Sequence, residues 1–337
     1  MSREVLPRDA RIFVAGHQGM VGSAIVRRLQ HEGYANLLLA SRAEVDLRDQ
    51  TAVNRWFERH RPEYVFLVAG TVGGILPNSL LPADFLYDNL MIHATVVHAA
   101  YVSGVRKLLY LGSSCIYPRE SPQPMKEEAL LSGALEPTNE PYAIAKIAGI
   151  KLCSAYKRQF DCDFISAMPT NLYGPHDDFD LDTAHVVPAL MRKFHEAKLR
   201  GDAKVVVWGS GSARREFLHV DDLADACVFL MRSYSGEQHV NVGTGEDVSI
   251  RELALLAKRV IHANAELVFD ASKPDGMPRK LLDVSRLHAL GWRHRTPIEE
   301  GFARTYAWFA AHYEEAIASR KSLHRLRGAE LRRKAGS

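Results

Sequence analysis

A tyrosine and a lysine four residues apart form the first pattern in this sequence that could do chemistry. Tyr142 and Lys146 lie in the segment Glu140–Phe160, whose apolar periodicity predicts a helix. Because residues i and i+4 share a helical face, the ammonium would lie beside the phenol. That charge favours the phenolate and is expected to lower the tyrosine pKa. The pair therefore predicts proton transfer to or from a substrate oxygen during hydride transfer.

A serine after a predicted strand adds to this pair. The apolar strand Lys107–Leu111 runs into the segment Gly112–Pro118, which contains Ser113. Ligands bind outside the carboxyl ends of strands in open parallel sheets. We therefore expect the Ser113 hydroxyl to hydrogen-bond the reacting oxygen. The alternative is that the serines of this segment only cap a turn.

Three glycines between a predicted strand and a predicted helix form a dinucleotide-binding pattern. They follow the strand Arg11–Ala15 and precede the helical segment Ser23–His31. Glycine lets the backbone turn tightly and approach a pyrophosphate at the positive end of a helix. The alternative is a tight turn that binds nothing. Cofactor contacts are predicted at Gly16, Gly19, Met20, Val21 and Gly22.

The residue after the second predicted strand selects the dinucleotide. An acidic residue there would accept hydrogen bonds from the ribose hydroxyls and repel a 2′-phosphate. Here the strand Leu37–Ala40 is followed by Ser41 and Arg42. A guanidinium can pair with the phosphate, so the sequence predicts NADP(H) as the cofactor. The alternative is an ordinary surface arginine.

Alternating strands and helices predict an α/β fold, a Rossmann-type doubly wound parallel sheet with a smaller C-terminal substrate lobe. The loose segment Pro169–Thr183 is interpreted as the crossing into that lobe. Later helices are expected at Val186–Lys198 and Val220–Met231, and a strand at His239–Val242 returns to the main sheet. Ser249–Ile261, Glu266–Phe269 and Pro297–Arg320 complete the chain. We assign residues 8–175 and 217–247 to the NADP-binding domain, 176–216 and 248–320 to the substrate lobe, and 321–337 to a basic tail.

Composition excludes several classes of function. The chain has 43 basic and 40 acidic residues, too even a balance for a nucleic-acid-binding surface. Its four cysteines have neither metal-site nor disulfide-scaffold spacing, so reduced thiols and no metal are expected. No run of 18 apolar residues and no signal peptide is found, which predicts a cytoplasmic protein without membrane contact.

The glycine pattern, Ser113, Tyr142 and Lys146 together resemble the extended short-chain dehydrogenase/reductases. Longer stretches, spread over about residues 10 to 310, resemble the members of that family that epimerise and reduce GDP-4-keto-6-deoxyhexoses. These stretches include Gly112–Pro118, Asn171–His176, Arg215–Asp222 and Pro278–Asp283.

The resemblance implies NADPH-dependent 3,5-epimerisation and 4-reduction of GDP-4-keto-6-deoxy-D-mannose to GDP-L-fucose. A 4-keto group acidifies the protons on C3 and C5, and inverting those carbons requires one titratable group on each face. Cys115 and His185 match the family's epimerisation pair. The alternative is that the cysteine and the histidine only pack in the core.

Further contacts follow from the same resemblance. Arginine and lysine are the expected partners of a diphosphate, and a tryptophan is expected to line the nucleotide pocket. The alternatives are that Arg215 pairs with Glu216 and that Trp208 belongs to the core. Implied cofactor contacts are Lys146, Pro169, Asn171, Leu172 and His185, and implied substrate contacts are Asn171, Lys193, Trp208, Arg215 and Lys280.

Three positions depart from the family pattern. Gln18 stands where the family usually has a basic residue, Thr71 where it usually has a lysine, and Lys193 where it has an arginine. These departures keep open a reductase or epimerase for a related deoxyhexose or heptose. A second alternative is an NADP-binding sensor without catalysis, because a fold alone does not prove function. The resemblance also implies a homodimer, although core packing explains the same apolar helices.

Overall fold

The computed structural model describes residues 6–181, 183–273 and 276–318, and the predicted basic tail at 321–337 lies outside the described residues. The strands are β1 (Ile12–Ala15), β2 (Leu37–Leu38), β3 (Tyr64–Leu67), β4 (Lys107–Leu111), β5 (Asp163–Pro169), β6 (Asn171–Tyr173), β7 (Lys204–Trp208), β8 (Arg214–Arg215), β9 (Phe217–His219), β10 (Val240–Val242), β11 (Val248–Ser249), β12 (Glu266–Asp270) and β13 (Arg279–Lys280). The helices are α1 (Met20–His31), α2 (Gln50–His60), α3 (Ile75–Leu80), α4 (Pro82–Val102), α5 (Glu140–Phe160), α6 (Val186–Arg200), α7 (Val220–Ser233), α8 (Ile250–Ile261), α9 (Ser285–Ala289), α10 (Ile298–Ala311) and α11 (Tyr313–Ala318).

A six-stranded sheet forms the centre of the molecule, in the order β2-β1-β3-β4-β5-β10. All of its neighbouring strands are parallel. The chain winds in one direction from β1 to β2 and in the other direction from β3 onwards, so the strand order reverses between β1 and β3. At such a point the carboxyl ends of the strands open a crevice where ligands bind. The predicted doubly wound parallel sheet is confirmed.

Helices cover both faces of this sheet. α1 and α7 lie on one face, where Leu29 and Leu223 are fully buried. α2, α4 and α5 lie on the other face, where Phe57 and Val96 are fully buried. Because both faces are covered, β1, β3 and β4 are buried at every position. None of the helices in the described residues is long and apolar enough to span a membrane.

A third core lies in the C-terminal half of the chain. It joins α6, α8 and α10 to the two-stranded sheet of β7 and β12, with Val205 and Val207 facing inwards. Between them Val206 is exposed, as the alternation of a strand requires. β10 pairs with β5 at the edge of the central sheet, and β9 pairs with β6. The domain boundaries at 175, 217 and 247 stay a prediction.

Two segments have structure that the sequence patterns did not resolve. In the C-terminal segment that begins at Pro297, α10 ends at Ala311, and a separate short helix follows His312. The His312 N–H is shared between the carbonyls of Trp308 and Phe309, which tightens the last turn although the apolar pattern continues. The segment Pro169–Thr183, expected to be irregular, contains β6, because its backbone pairs with β9, far away in sequence.

Steric exclusion shapes the glycine turn between β1 and α1. Gly16 has φ +96°, and a Cβ there would lie 2.8 Å from the Ala69 backbone. A Cβ on Gly22 would lie 2.1 Å from the Gly16 carbonyl oxygen, so the start of α1 can pack on the turn only with glycine. At Gly19 the nearest atom would be the same oxygen at 3.5 Å, an ordinary contact. The protein itself therefore requires two of the three glycines.

We expect Gly22→Ala and Gly19→Ala to separate stability from dinucleotide binding. Gly22→Ala should reduce the free energy of unfolding of the cofactor-free protein by about 1–3 kcal/mol, the usual effect of overpacking. Gly19→Ala should leave that free energy unchanged and raise the Kd for the dinucleotide about tenfold, because its methyl group points at the pyrophosphate position. Thermal unfolding and fluorescence titration measure the two quantities. A wild-type Tm for Gly22→Ala would contradict the steric explanation.

Candidate active site

Tyr142 and Lys146 lie in the first two turns of α5, as the sequence predicts. Lys146 is 3% exposed, and its Nζ donates a hydrogen bond to the Leu111 carbonyl oxygen at 2.9 Å. The same nitrogen lies 5.7 Å from the centre of the Tyr142 ring and 5.3 Å from that of the Tyr110 ring. The lysine therefore connects α5 to the end of β4 with the tyrosine beside it.

Ser113 follows β4 and precedes a single 3₁₀ turn, Ser114–Ile116. Its hydroxyl accepts a 3.5 Å hydrogen bond from the Cys115 N–H, so the capping alternative describes one of its contacts. Its side chain also hydrogen-bonds Tyr142, and this bond lowers the pKa of the phenol. The structure therefore brings Ser113 and Tyr142 together, as expected.

The pKa of Tyr142 shifts in the direction opposite to that expected. Burial raises it, the neighbouring Cys115 raises it further, and only the bond from Ser113 opposes the shift. Burial also lowers the pKa of Lys146 to about 8. The expected lowering of the Tyr142 pKa is thus wrong in this environment, because removal from water is the largest cause of the shift and Lys146 is not among the groups that oppose it. A phenol with a raised pKa stays protonated at neutral pH, the form that can donate a proton.

Cys115 is 6% exposed and lies next to the same groups. Burial raises its pKa, while Lys280, Ser113 and Lys146 act to lower it. His185 is the N-cap residue of α6 and keeps an exposed surface. The surrounding protein nevertheless lowers its pKa, with Lys280 acting in the same direction and Asp178 opposing it. Lys280 thus interacts with both members of the predicted epimerisation pair.

The start of α1 and the loop after β2 can accept the pyrophosphate and the 2′-phosphate of NADP(H). α1 begins after Gly19 with no side-chain cap and no acidic residue in its first turn, which leaves its N–H groups suited to an anion. Arg42 is 65% exposed and lies 3.8 Å from Asp46, whose carboxylate already pairs closely with Arg48 at 2.7 Å. The guanidinium of Arg42 is therefore loosely held. Gln18 is exposed beside this turn.

Three further predicted cofactor contacts lie at the end of β5 and in β6. Pro169 ends β5 and is buried, whereas Asn171 and Leu172 are half-buried. The Asn171 amide donates a 2.8 Å hydrogen bond to the Glu216 carbonyl oxygen. This bond joins the Asn171 side chain in β6 to the backbone between β8 and β9.

Two cations face each other in the sheet of β11, β8 and β13. Arg215 in β8 pairs in register with Lys280 in β13. Like charges directly opposite each other on paired strands are destabilising, so this arrangement suits an anion bound between them. On the alternate positions, Arg214 and Arg279 both bind the buried carboxylate of Asp247, at 2.7 and 2.5 Å.

Trp208 ends β7 and is 65% exposed, so the alternative that it belongs to the core is wrong. Two ammonium groups lie near its ring, that of Lys193 at 6.0 Å and that of Lys273 at 5.6 Å. Lys193 also donates to the Val206 carbonyl oxygen at 3.0 Å. The exposed ring suits stacking by a planar base.

Sequence reasoning missed several buried polar residues around the site. Asn89 in α4 is fully buried, and its side-chain amide exchanges two 3.0 Å hydrogen bonds with the backbone of Thr71. The Thr71 hydroxyl donates to Asp88, which pairs with Arg48. Isolated polar residues within an apolar helix give no periodic signal that separates them from surface positions.

Comparison with known proteins identifies a family and several similar proteins. The model of the "NAD dependent epimerase/dehydratase family" matches residues 12–243. The chain is 58% identical to "Putative GDP-L-fucose synthase 2" of Arabidopsis thaliana, covering 90% of this chain and 93% of that protein. It is 55% identical to "GDP-L-fucose synthase" of Escherichia coli (strain K12), covering 89% and 96%. The crystal structure of a "gdp-l-fucose synthetase from Naegleria fowleri bound to NADP" superposes with a TM-score of 0.87 at 31% identity, covering 93% of this chain and 98% of that one.

Replacing Tyr142 by phenylalanine tests its role as the proton donor. We expect Tyr142→Phe to reduce the rate of NADPH-dependent reduction by about 10²-fold or more while NADPH still binds, because only the hydroxyl is lost. Tyr156→Phe is a matched control, since Tyr156 lies on the same helix and its hydroxyl bonds His98. Near-wild-type turnover by Tyr142→Phe would exclude the role.

Replacing Arg42 by alanine tests the choice of cofactor. The wild-type protein should prefer NADPH over NADH by at least about tenfold in kcat/KM, and Arg42→Ala should remove most of that preference without affecting NADH. Arg59→Ala, a change at an exposed position of α2, is the control and should leave both values unchanged. Equal use of the two cofactors by the wild-type protein would refute the assignment.

Proposed function

We propose that this chain, which belongs to the NAD dependent epimerase/dehydratase family, converts GDP-4-keto-6-deoxy-D-mannose to GDP-L-fucose with NADPH. The observation that carries the proposal is the convergence of Ser113, Cys115, Tyr142 and Lys146 at the end of β4, with Lys280 beside them. A reductase needs only the serine, tyrosine and lysine. The adjoining thiol, together with His185, adds the means to move protons on carbon.

The residues present fit NADP(H). A Cβ on Gly19 would meet open space apart from one oxygen, so a pyrophosphate can approach the backbone there. The N–H groups at the start of α1 and the exposed guanidinium of Arg42 would hold the pyrophosphate and the 2′-phosphate. Pro169, Asn171 and Leu172 would line the nicotinamide end. When bound, the cofactor supplies the hydride for C4.

Reduction uses the residues at the junction of β4 and α5. Tyr142, kept protonated by its raised pKa, would donate its proton to O4. Ser113 would hydrogen-bond the same oxygen and stabilise its developing negative charge. Lys146 would keep a positive charge beside the phenol and bind the cofactor ribose, with its position set by the Leu111 carbonyl.

Epimerisation uses Cys115 and His185, one on each face of the sugar ring. The thiolate would remove the acidified proton at C3 and at C5, and the imidazolium would return a proton from the opposite face. Lys280 and Lys146 favour the thiolate at Cys115. Arg215 and Lys280 would bind the diphosphate, and Trp208 and Lys193 would line the nucleotide end.

The proposal extends to a homodimer in the cytoplasm. α4 and α5 carry apolar side chains that remain exposed in the single chain, Tyr87 at 60%, Val102 at 65% and Ile144 at 43%. Apolar groups on two adjacent helices are suited to a self-complementary interface.

Product analysis with variants of the epimerisation pair tests the proposal. Wild-type protein, incubated with NADPH and GDP-4-keto-6-deoxymannose in deuterated water, should give GDP-L-fucose labelled at C3 and C5 in NMR spectra. Cys115→Ser and His185→Gln should each suppress this labelling by about 10²-fold or more and yield incompletely epimerised GDP-deoxyhexose, because base and acid are both required.

Cys162→Ser is the matched control, since Cys162 is a free thiol remote from these groups, and it should behave as wild type. If both Cys115→Ser and His185→Gln exchange deuterium and form product at the wild-type rate, the two residues are structural and the enzyme uses other acids and bases. Wild-type protein that reduces the substrate without labelling C3 and C5 would instead be a simple 4-keto reductase.

A further inference from the structure

The carboxylate of Glu216 joins two separate segments of the chain. Glu216 is fully buried, and its Oε1 accepts hydrogen bonds from the N–H groups of Thr244 at 2.7 Å and Gly245 at 2.8 Å. Its Oε2 accepts a 2.9 Å bond from the N–H of Leu282. One oxygen therefore holds the turn after β10, and the other holds the chain that leaves β13.

The backbone of the same residue makes two more connections. Its N–H donates to the Lys280 carbonyl oxygen at 3.3 Å, and its carbonyl oxygen accepts the 2.8 Å bond from Asn171. Glu216 also follows Arg215 directly in the chain. The residue thus contacts or adjoins three of the predicted ligand-binding residues, although its own carboxylate is occupied by backbone N–H groups.

The surroundings leave the carboxylate no alternative position. A Cβ on Gly243 would lie 2.2 Å from Oε1, so the turn closes tightly on this oxygen. Burial raises the pKa of Glu216, and the N–H groups of Gly245 and Leu282 oppose that shift. A buried carboxyl group is unfavourable unless its hydrogen bonds are made, so packing alone does not explain an acid at this position.

Glu216 lies beside two cationic residues, Arg215 and Lys280, whose positions its hydrogen bonds can set. Arg215 and Lys280 repel each other across β8 and β13, and each of these strands is only two residues long. We propose that Glu216 is a positioning residue that holds Arg215 and Lys280 at the separation that binds the substrate diphosphate. This inference rests on the proposed function, because it assumes a GDP-sugar substrate.

Glu216→Gln is the decisive variant. The amide oxygen can accept from the turn at Thr244 or from Leu282, but the amide nitrogen then faces an N–H donor at the other segment. We expect the Kd for GDP and the KM for the GDP-sugar to rise about tenfold, with the Kd for NADPH unchanged, because only the substrate diphosphate depends on the spacing of Arg215 and Lys280.

Asp222→Asn separates positioning from stability. Asp222 is likewise a buried carboxylate, and it accepts backbone hydrogen bonds from Arg295 at 3.1 Å and Thr296 at 2.8 Å. The variant Asp222→Asn should lower the Tm as Glu216→Gln does, without changing the Kd for GDP. Unchanged GDP binding and KM in Glu216→Gln, or an equal loss of GDP binding in Asp222→Asn, would overturn the positioning role.

Amide hydrogen exchange of the wild-type protein tests the same coupling if Glu216→Gln does not fold. Because coupling between sites is reciprocal, GDP should slow exchange at Thr244, Gly245 and Leu282 together, by about tenfold. Bound GDP without such protection would refute the inference. Wild-type protein that neither binds GDP nor turns over the GDP-sugar would refute the proposed function itself.

Discussion

The hydrogen bond from the Lys146 ammonium to the Leu111 carbonyl oxygen joins the two elements that carry the reducing centre. Burying an ammonium is unfavourable unless its donors are used, and here the carbonyl and the nearby Tyr110 ring supply partners. This requirement fixes the rotation of α5 about its axis. Tyr142, one turn earlier on the same face, is therefore placed beside Ser113, which follows Leu111 by two residues.

The glycine turn after β1 lies at the same edge of the central sheet, because the carboxyl ends of its parallel strands meet there. The turn after β1 packs on Ala69 so closely that only glycine fits at position 16. After β3, a Cβ on Gly70 would lie 2.8 Å from the Asn89 amide oxygen and 3.7 Å from the Lys146 ammonium. The ends of β1, β3 and β4 therefore meet within a few ångströms, which in the proposed reaction would place the hydride donor and the proton donor on adjacent loops.

Two elements that carry site residues could be predicted from local sequence patterns. α5 has the bounds that its periodicity predicts, and the glycine turn lies between β1 and α1 as expected. The pairing of β8 with β13 could not be predicted, because a two-residue strand has no periodicity and its partner is more than sixty residues away. The proposed positioning role of Glu216 depends on that pairing, and so does the binding of Arg214 and Arg279 by Asp247. Burial likewise decided the direction of the Tyr142 shift, which sequence spacing does not report.

The two halves of the proposed reaction place opposite demands on neighbouring groups. Burial raises the pKa of both Tyr142 and Cys115. For the tyrosine this suits donation of a proton, whereas the cysteine must lose its proton to act as a base. The ammonium groups of Lys146 and Lys280 oppose the shift only at Cys115. Because the pKa of Lys146 is about 8, its charge is lost above that pH. Raising the pH therefore removes one stabiliser of the thiolate while it favours ionisation of the thiol, so the two effects of alkaline pH on the proposed base oppose each other.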